Sequence, residues 1–246
     1  MTSTHYSSGI SDAVLVRQAL REDRIGFSKL AVLPVGGASD PLYSKCHARF
    51  FRSDGVVLRD DYILPQLERD GVAMPLNRAI LDLVLDWLDA DSFQVLGCSI
   101  SAQNLERPAD WFELYTRIAR RPHLARRLVL EITKARRILR PDQARDVLNA
   151  LRAVGVRVAL DDFGTGFATS AVLSRLEVDI VKIDAQFTDS LVLLRNLVAQ
   201  ALSSSATAVV IQGVHTAAQR EAAAEAGATH IQGLSPGPPR RVPLRA

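Results

Sequence analysis

From Phe93 onwards, short apolar segments alternate regularly with longer amphipathic segments. The apolar segments have the length of buried β-strands, and they are Phe93–Ile100, Leu128–Thr133, Val156–Asp161, Ile180–Ile183, Ala208–Ile211 and Thr229–Gln232. The segments between them predict helices over Ala109–Arg120, Pro141–Val154, Thr169–Leu176, Ser190–Leu202 and Ala217–Ala226. Alternation without an internal linker predicts an α/β fold of the (β/α) barrel type, with a doubly wound open sheet as the alternative. No Gly-x-Gly-x-x-Gly turn follows the first strand, which favours the barrel.

The N-terminal part of the chain departs from this alternation. Two extended segments, Ile25–Val35 and Leu42–Arg52, flank a Gly-rich turn and predict an antiparallel hairpin. Helical patterns occupy residues 12–24, 62–67 and 76–88. We predict a disordered segment at residues 1–9, a single domain over residues 10–239 and a loose basic tail at residues 240–246.

The composition is that of a globular protein. The chain has 246 residues, of which 48% are hydrophobic and 23% charged, and its formal net charge is +3. This charge is too weak and too dispersed to predict direct contact with nucleic acid. The two cysteines, Cys46 and Cys98, lack metal-type spacing, which is typical of a reducing compartment. Neither a signal peptide nor an apolar run of about 20 residues is present, so we predict a cytoplasmic protein without a membrane span.

Polar residues lie at or just after the ends of the predicted strands, where parallel α/β enzymes build their active sites. They are Lys45, Arg49, Ser99, Glu131, Lys134, Asp161, Asp162, Lys182, Asp184, Gln212, His215 and Gln232. The carboxylates Glu131, Asp161 and Asp162 are candidate ligands of a hard divalent cation, which prefers oxygen. Lys182 is predicted either to hold a water or a phosphate or to pair with these carboxylates in a buried ion network. Arg49 is predicted to clamp a phosphate or to form a surface ion pair.

Two motifs stand close together in this set, Asp-Asp-Phe-Gly-Thr-Gly-Phe at Asp161–Phe167 and Val-Asp-Ile-Val-Lys-Ile-Asp at Val178–Asp184. They resemble the signature of the EAL-domain cyclic-di-GMP phosphodiesterases. Further segments that resemble this family are Leu130–Thr133, Ser99–Leu105 and Ile231–Gly233. The resemblance extends over residues 25–239, and it implies a (β/α)8 TIM-like barrel with one antiparallel strand. It also implies two divalent cations that activate a water for hydrolysis of the cyclic dinucleotide to a linear one.

The same resemblance identifies positions at which the chain departs from the family pattern. Lys45 stands where the family has the ligand glutamate of its Glu-Ala-Leu segment, and Ser99 replaces an asparagine ligand. Lys134 replaces the second glutamate of Glu-x-x-Glu, Gln212 replaces a catalytic carboxylate, and Leu33 replaces a glutamine at the substrate pocket. These departures predict a degenerate, stand-alone member that is not an enzyme, because it lacks metal ligands and the catalytic carboxylate.

The residues that persist from the implied site are Glu131, Asp161, Asp162, Lys182 and Gln232. We expect no bound cofactor, and Mg²⁺ or Mn²⁺ only if activity is retained. A lysine beside a divalent ion would repel it by several kcal/mol at an effective dielectric constant of about 20. We therefore hypothesise that Lys45 forms salt bridges with the remaining carboxylates in place of metal.

Three functions are consistent with these residues. The first is a catalytically inactive regulatory protein that acts through protein–protein interaction in bacterial signalling, with an unidentified partner such as a transcription or motility regulator. The second is a cyclic-di-GMP receptor that binds without hydrolysis, with Arg49 at the dinucleotide. The third is a residual cyclic-di-GMP phosphodiesterase. The resemblance leaves a homodimer open.

Overall fold

The structure is a computed structural model that describes residues 12–37, 40–52, 56–59, 73–102, 105, 108–133, 138–233 and 240–241. Several predictions lie outside these residues: the disordered segment at 1–9, the helical pattern at 62–67, the role of Lys134 and most of the tail.

The described strands form one sheet that closes into a barrel. In chain order they are β1 Ile25–Pro34, β2 Tyr43–Phe51, β3 Val57–Arg59, β4 Leu96–Ser101, β5 Leu128–Thr133, β6 Arg157–Phe163, β7 Ile180–Ile183, β8 Ala208–Gln212, β9 His230–Gln232 and β10 Arg240–Arg241. The sheet order is β10-β1-β9-β8-β7-β6-β5-β4-β2-β3, and the additional pairing of β1 with β2 closes the ring. Strand β1 runs antiparallel to both β2 and β9, while neighbours from β2 through β4 to β9 are parallel. The predicted TIM-like barrel with one antiparallel strand is confirmed.

Helices surround this barrel in the intervals between strands. They are α1 Asp12–Arg21, α2 Ala73–Ala90, α3 Pro108–Ala119, α4 Pro122–Ala125, α5 Pro141–Ala153, α6 Ser170–Leu176, α7 Leu191–Leu202 and α8 Ala217–Glu225. Proline begins α5, where its missing N–H and fixed φ suit a first helical position. Thr216 and Gln219 form a capping box at the start of α8, which satisfies donors that the helix itself leaves unpaired.

The hydrophobic core has two parts separated by the sheet. The larger part lies between the strands and the helices and includes the buried side chains of Cys46, Cys98 and Trp111. The smaller part consists of Val32, Tyr43, Val129, Ala159, Ile180, Ala208 and Val210. These residues come from β1, β2, β5, β6, β7 and β8 and face one another inside the barrel. Side chains alternate between the two faces of a strand, so residues two positions further along point into the barrel as well.

The strand boundaries agree closely with the predictions, with the exceptions that follow. Phe93 is 95% exposed and precedes β4, which begins only at Leu96. The short strand β3 and the four-residue helix α4 were not predicted. The prediction of a loose tail is wrong for Arg240 and Arg241, because they pair antiparallel with Phe27 and Gly26 of β1. None of the described helices is long and apolar enough to cross a membrane.

Candidate functional site

Four charged side chains meet in the barrel just above the inner apolar core. Lys45, Glu131, Asp161 and Lys182 each follow a residue of that core by two positions on the same strand. The alternation of side chains therefore points all four inward. They are 8%, 0%, 3% and 0% exposed, respectively, so the cluster is almost completely removed from solvent.

The two lysines bridge the two carboxylates. The Nζ atom of Lys45 lies 2.7 Å from Asp161 Oδ2 and 2.8 Å from Glu131 Oε2. The Nζ atom of Lys182 lies 2.7 Å from Glu131 Oε2 and 3.3 Å from Asp161 Oδ1. Two positive and two negative groups thus balance, which buried charges require. Of the two predictions for Lys182, the structure shows the buried ion network, and it also brings Lys45 into that network.

Neutral donors complete the hydrogen bonding of the carboxylates. The hydroxyl of Tyr43 donates to Glu131 Oε1 at 2.7 Å, and Gln212 Nε2 donates to Asp161 Oδ1 at 2.9 Å. The backbone N–H of Asp162 also donates to Asp161 Oδ1 at 3.1 Å. Every oxygen of the two carboxylates therefore accepts a hydrogen bond from within the protein. Tyr43 was not predicted as part of the site, although it lies two residues before Lys45 on the same strand.

The charge states of the cluster follow from this arrangement. Burial lowers the pKa of Lys45, but attraction and hydrogen bonds to Asp161 and Glu131 raise the pKa well above its ordinary value. Burial raises the pKa of Asp161, but Lys182 and Lys45 hold the pKa of this carboxyl well below its usual range. Burial and then Glu131 raise the pKa of Tyr43, so its hydroxyl stays protonated and donates. The Lys45–Asp161 pair is therefore ionised at neutral pH.

A bulge at the end of β6 separates the roles of the two adjacent aspartates. The pairing of β6 with β7 shifts between Leu160 and Phe163, and Asp162 adopts a positive φ of 55°. The carbonyl of Asp162 accepts hydrogen bonds from the N–H and the hydroxyl of Thr165. Gly164 then turns the chain with a φ of +94°, and a Cβ there would lie 2.8 Å from the ring of Phe187. Asp161 thus points into the ion cluster, while the backbone of Asp162 holds the turn.

The other predicted site residues lie on the strands of the barrel or directly after them. Arg49 is 5% exposed, and its Nη1 donates to the carbonyl of Ala48 at 2.7 Å. Gln232 is also buried and donates to the carbonyl of Leu30 at 3.3 Å. Ser99 pairs in register with Glu131. Asp184 accepts a hydrogen bond from the N–H of Gln186 and thereby caps a short 3-10 helix.

A divalent cation does not fit between these carboxylates as they are arranged. Mg²⁺ requires several oxygen ligands at about 2.1 Å, whereas the ammonium of Lys45 lies between Glu131 and Asp161 at hydrogen-bonding distance from both. In the part of the chain that the structure describes, no group of three or more His, Cys, Asp or Glu side chains is placed to hold a metal ion.

Comparison with known proteins identifies the family. The sequence profile of the EAL domain matches residues 36–239. "Probable cyclic di-GMP phosphodiesterase PdeB" of Escherichia coli (strain K12) is 29% identical over 198 residues, which are 76% of this chain and 37% of that protein. PdeA of the same organism, also named as a probable cyclic di-GMP phosphodiesterase, is 27% identical over 84% of this chain and 30% of its own length. The chain thus spans about a third of the length of these curated relatives.

The fold agrees with that of solved EAL structures. An EAL domain protein from Listeria monocytogenes EGD-e superposes with a TM-score of 0.81 at 18% identity, covering 96% of both chains. The FimX EAL domain from Pseudomonas aeruginosa, solved bound to c-di-GMP, gives a TM-score of 0.81 at 20% identity, covering 94% of this chain and 98% of that one.

The comparisons overturn one prediction. We expected a chain that is not an enzyme, but three curated relatives that match most of the chain are named as cyclic-di-GMP phosphodiesterases, two of them as probable ones. Since the EAL profile covers residues 36–239 and the barrel has the EAL topology, the chain belongs to the EAL domain family.

Proposed function

We propose that this chain binds cyclic-di-GMP at the mouth of its barrel and takes part in bacterial cyclic-di-GMP signalling. Membership of the EAL domain family supports this proposal, as do two curated relatives that are named as probable cyclic-di-GMP phosphodiesterases. The solved FimX EAL domain and the PaMucR phosphodiesterase, both similar in fold, are each described as bound to c-di-GMP.

The observation that carries the proposal is the position of a cation at the open end of the ion cluster. The side chain of Lys45 is 10% exposed, whereas the side chains of Lys182 and Glu131 are 0% exposed and that of Asp161 is 4% exposed. An ammonium has three N–H donors, and the carboxylates of Glu131 and Asp161 use two of them. The third donor suits a phosphate oxygen of the dinucleotide, which carries two anionic phosphodiesters. Arg49 on the same strand adds a second cation suited to phosphate.

The test is a titration of the purified chain with fluorescently labelled cyclic-di-GMP, with and without Mg²⁺, together with chromatography for linear product. We expect saturable binding that unlabelled cyclic-di-GMP competes away and that GTP does not. Arg49→Ala should weaken binding at least about tenfold, which corresponds to about 1.4 kcal/mol. Arg195→Ala is the matched control, because Arg195 is an exposed arginine on α7 whose side chain pairs with Glu225. Absence of both saturable binding and linear product would refute the proposal.

A second candidate function is regulation through protein–protein contact, and one surface groove favours it. Phe167 follows the Gly-rich turn after β6 and is 50% exposed. It lines a groove of about 290 Å³ together with Ile138, Pro141, Val172 and Leu176. Exposed apolar side chains beside a groove are common at protein interfaces.

With purified protein, the partner that can be tested directly is a second copy of the chain. Sedimentation velocity over a concentration series should show self-association that Phe167→Asp abolishes. Phe112→Asp, at a 72% exposed phenylalanine on α3, is the matched control and should leave it unchanged. A monomer at every concentration would argue against this partner.

A further inference from the structure

Among the described residues, the charges of the ion cluster balance without any added ion. Lys45 and Lys182 supply two positive charges, and Glu131 and Asp161 supply two negative charges. All four carboxylate oxygens accept hydrogen bonds from groups of the protein, including the hydroxyl of Tyr43. A divalent cation bound by these carboxylates would have to displace the ammonium of Lys45 and would leave the cluster with excess positive charge.

We propose that Lys45 is a built-in cation that occupies the place of a divalent metal ion between Glu131 and Asp161, so that the barrel mouth is assembled without metal. The ammonium lies 2.8 Å from one carboxylate and 2.7 Å from the other, and it donates to both. It therefore performs the two tasks of a bridging metal ion, which are to neutralise the carboxylates and to fix their separation. Because this ammonium is covalently attached to β2, it cannot dissociate from the site as a metal ion can.

The neighbouring residues show how the position could be converted into a metal site. Lys45→Glu would change the net charge of the four-residue cluster from zero to minus two, which one divalent ion balances. The new carboxylate would add oxygen ligands beside Glu131 and Asp161, the ligand type that Mg²⁺ and Mn²⁺ prefer. Within the described part of the chain, the Oε1 atom of Gln212 is buried and accepts no hydrogen bond, so it would supply a further oxygen ligand. Its Nε2 already donates to Asp161, so this amide lies at the cluster.

A functional consequence rests on the proposed binding of cyclic-di-GMP. If Lys45 replaces the metal, its remaining N–H donor contacts the phosphate directly, and the affinity for the dinucleotide does not depend on Mg²⁺ or Mn²⁺. Chelation with EDTA should therefore change the dissociation constant of the wild type by less than about twofold.

The experiment measures metal binding without any dinucleotide, so its outcome is independent of the proposed function. Mn²⁺ is titrated into metal-free protein, with free Mn²⁺ read by electron paramagnetic resonance and thermal unfolding recorded in parallel. The variants are Lys45→Glu and the neutral Lys45→Gln. Lys29→Glu is the matched control, because it makes the same change in charge on the adjacent strand β1, where Lys29 contacts Gln94 and Trp87 instead of the cluster.

We expect the wild type and Lys29→Glu to show equal, weak Mn²⁺ binding and no shift in Tm. Lys45→Glu should bind one Mn²⁺ at least about tenfold more tightly and should gain thermal stability when the ion is added. Lys45→Gln should show a smaller gain in affinity. Tight binding of one Mn²⁺ by the wild type, or no gain in either variant, would overturn the proposal. Failure of both variants to fold even in Mn²⁺ would also overturn it, because the ion would then not replace the ammonium.

Discussion

The buried pair of Lys182 and Glu131 gives a sharp test of how the barrel centre is stabilised. Both side chains are 0% exposed, and their Nζ and Oε2 atoms are 2.7 Å apart. At an effective dielectric constant of about 20, this distance corresponds to an attraction of about 6 kcal/mol. The cost of removing both charges from water offsets much of this attraction, so the pair as a whole contributes far less. Removing only one partner leaves the other charge buried and unbalanced.

We therefore predict strongly non-additive effects in a double-mutant cycle. Lys182→Met and Glu131→Gln should each lower the free energy of unfolding by about 3–5 kcal/mol, since each leaves one uncompensated buried charge. The double variant restores neutrality, because Lys45 and Asp161 still pair at 2.7 Å. The loss of free energy of unfolding in the double variant should be smaller than the sum of the two single losses by at least about 2 kcal/mol.

Urea unfolding followed by circular dichroism measures these differences, with the fluorescence of buried Trp111 as a second probe. The control is the pair of Arg195 and Glu225, whose atoms are equally close at 2.7 Å but whose side chains are 54% and 57% exposed. Arg195→Met and Glu225→Gln should each change the free energy of unfolding by less than about 1 kcal/mol. The argument would be refuted if the single variants at the buried pair lowered the free energy of unfolding as little as those at the control pair. It would also be refuted if the effects of the two buried-pair variants simply added.

Three further predictions concern the backbone, the thiols and pH. Gly164→Ala should destabilise the protein by about 1–3 kcal/mol, because its φ of +94° is in the left-handed region and the methyl group would meet an aromatic ring at 2.8 Å. Gly36→Ala is the control and should have little effect in the same urea assay, because nothing lies within 4 Å of a Cβ at that position. Burial raises the pKa of Cys98 to about 12, so alkylation at about pH 8 should be undetectable in the native protein and rapid in urea; rapid native alkylation would contradict the placement of this thiol. The pKa of Asp161 is lowered on folding, so its contribution is present above the unfolded pKa of about 3.9 and is lost as pH falls below it. The wild type should therefore lose more free energy of unfolding between about pH 5 and about pH 3 than the neutral double variant Lys45→Met/Asp161→Asn. Equal losses would show that the Lys45–Asp161 pair does not cause the loss of stability at low pH.

The sequence was sufficient to predict the barrel because strand and helix patterns are local signals. It also placed the charged residues at one end of the barrel, since the ends of parallel strands meet there. The hypothesis of a Lys45 salt bridge rested on the family resemblance, and the structure shows contacts with Asp161 and Glu131. The ligand of the site and its need for metal remain predictions.

Other features depend on contacts that no local pattern encodes. In the sequence, Tyr43 looks like any aromatic residue of a half-buried strand, because its hydrogen-bond partner Glu131 lies 88 positions away. Strand β10 has only two residues and follows a Pro-rich segment, so its pairing with Gly26 and Phe27 leaves no pattern in the sequence. Phe93 is apolar but lies in a turn, because β4 enters the sheet only at Leu96.

The antiparallel strand β1 has a consequence for the order in which the protein folds. It pairs with β2 over eight rungs from Ile25–Phe50 to Val32–Tyr43, a hairpin that forms from neighbouring residues. Its partners on the other edge are β9, through Leu33–Ile231, and β10, through Gly26–Arg241. Both strands lie more than 190 residues later in the sequence. On the ribosome, the hairpin can form early, but its second edge waits until every intervening strand has emerged. During synthesis this open edge is the surface on which nascent chains would join one another, and a chaperone that shields extended backbone would protect it.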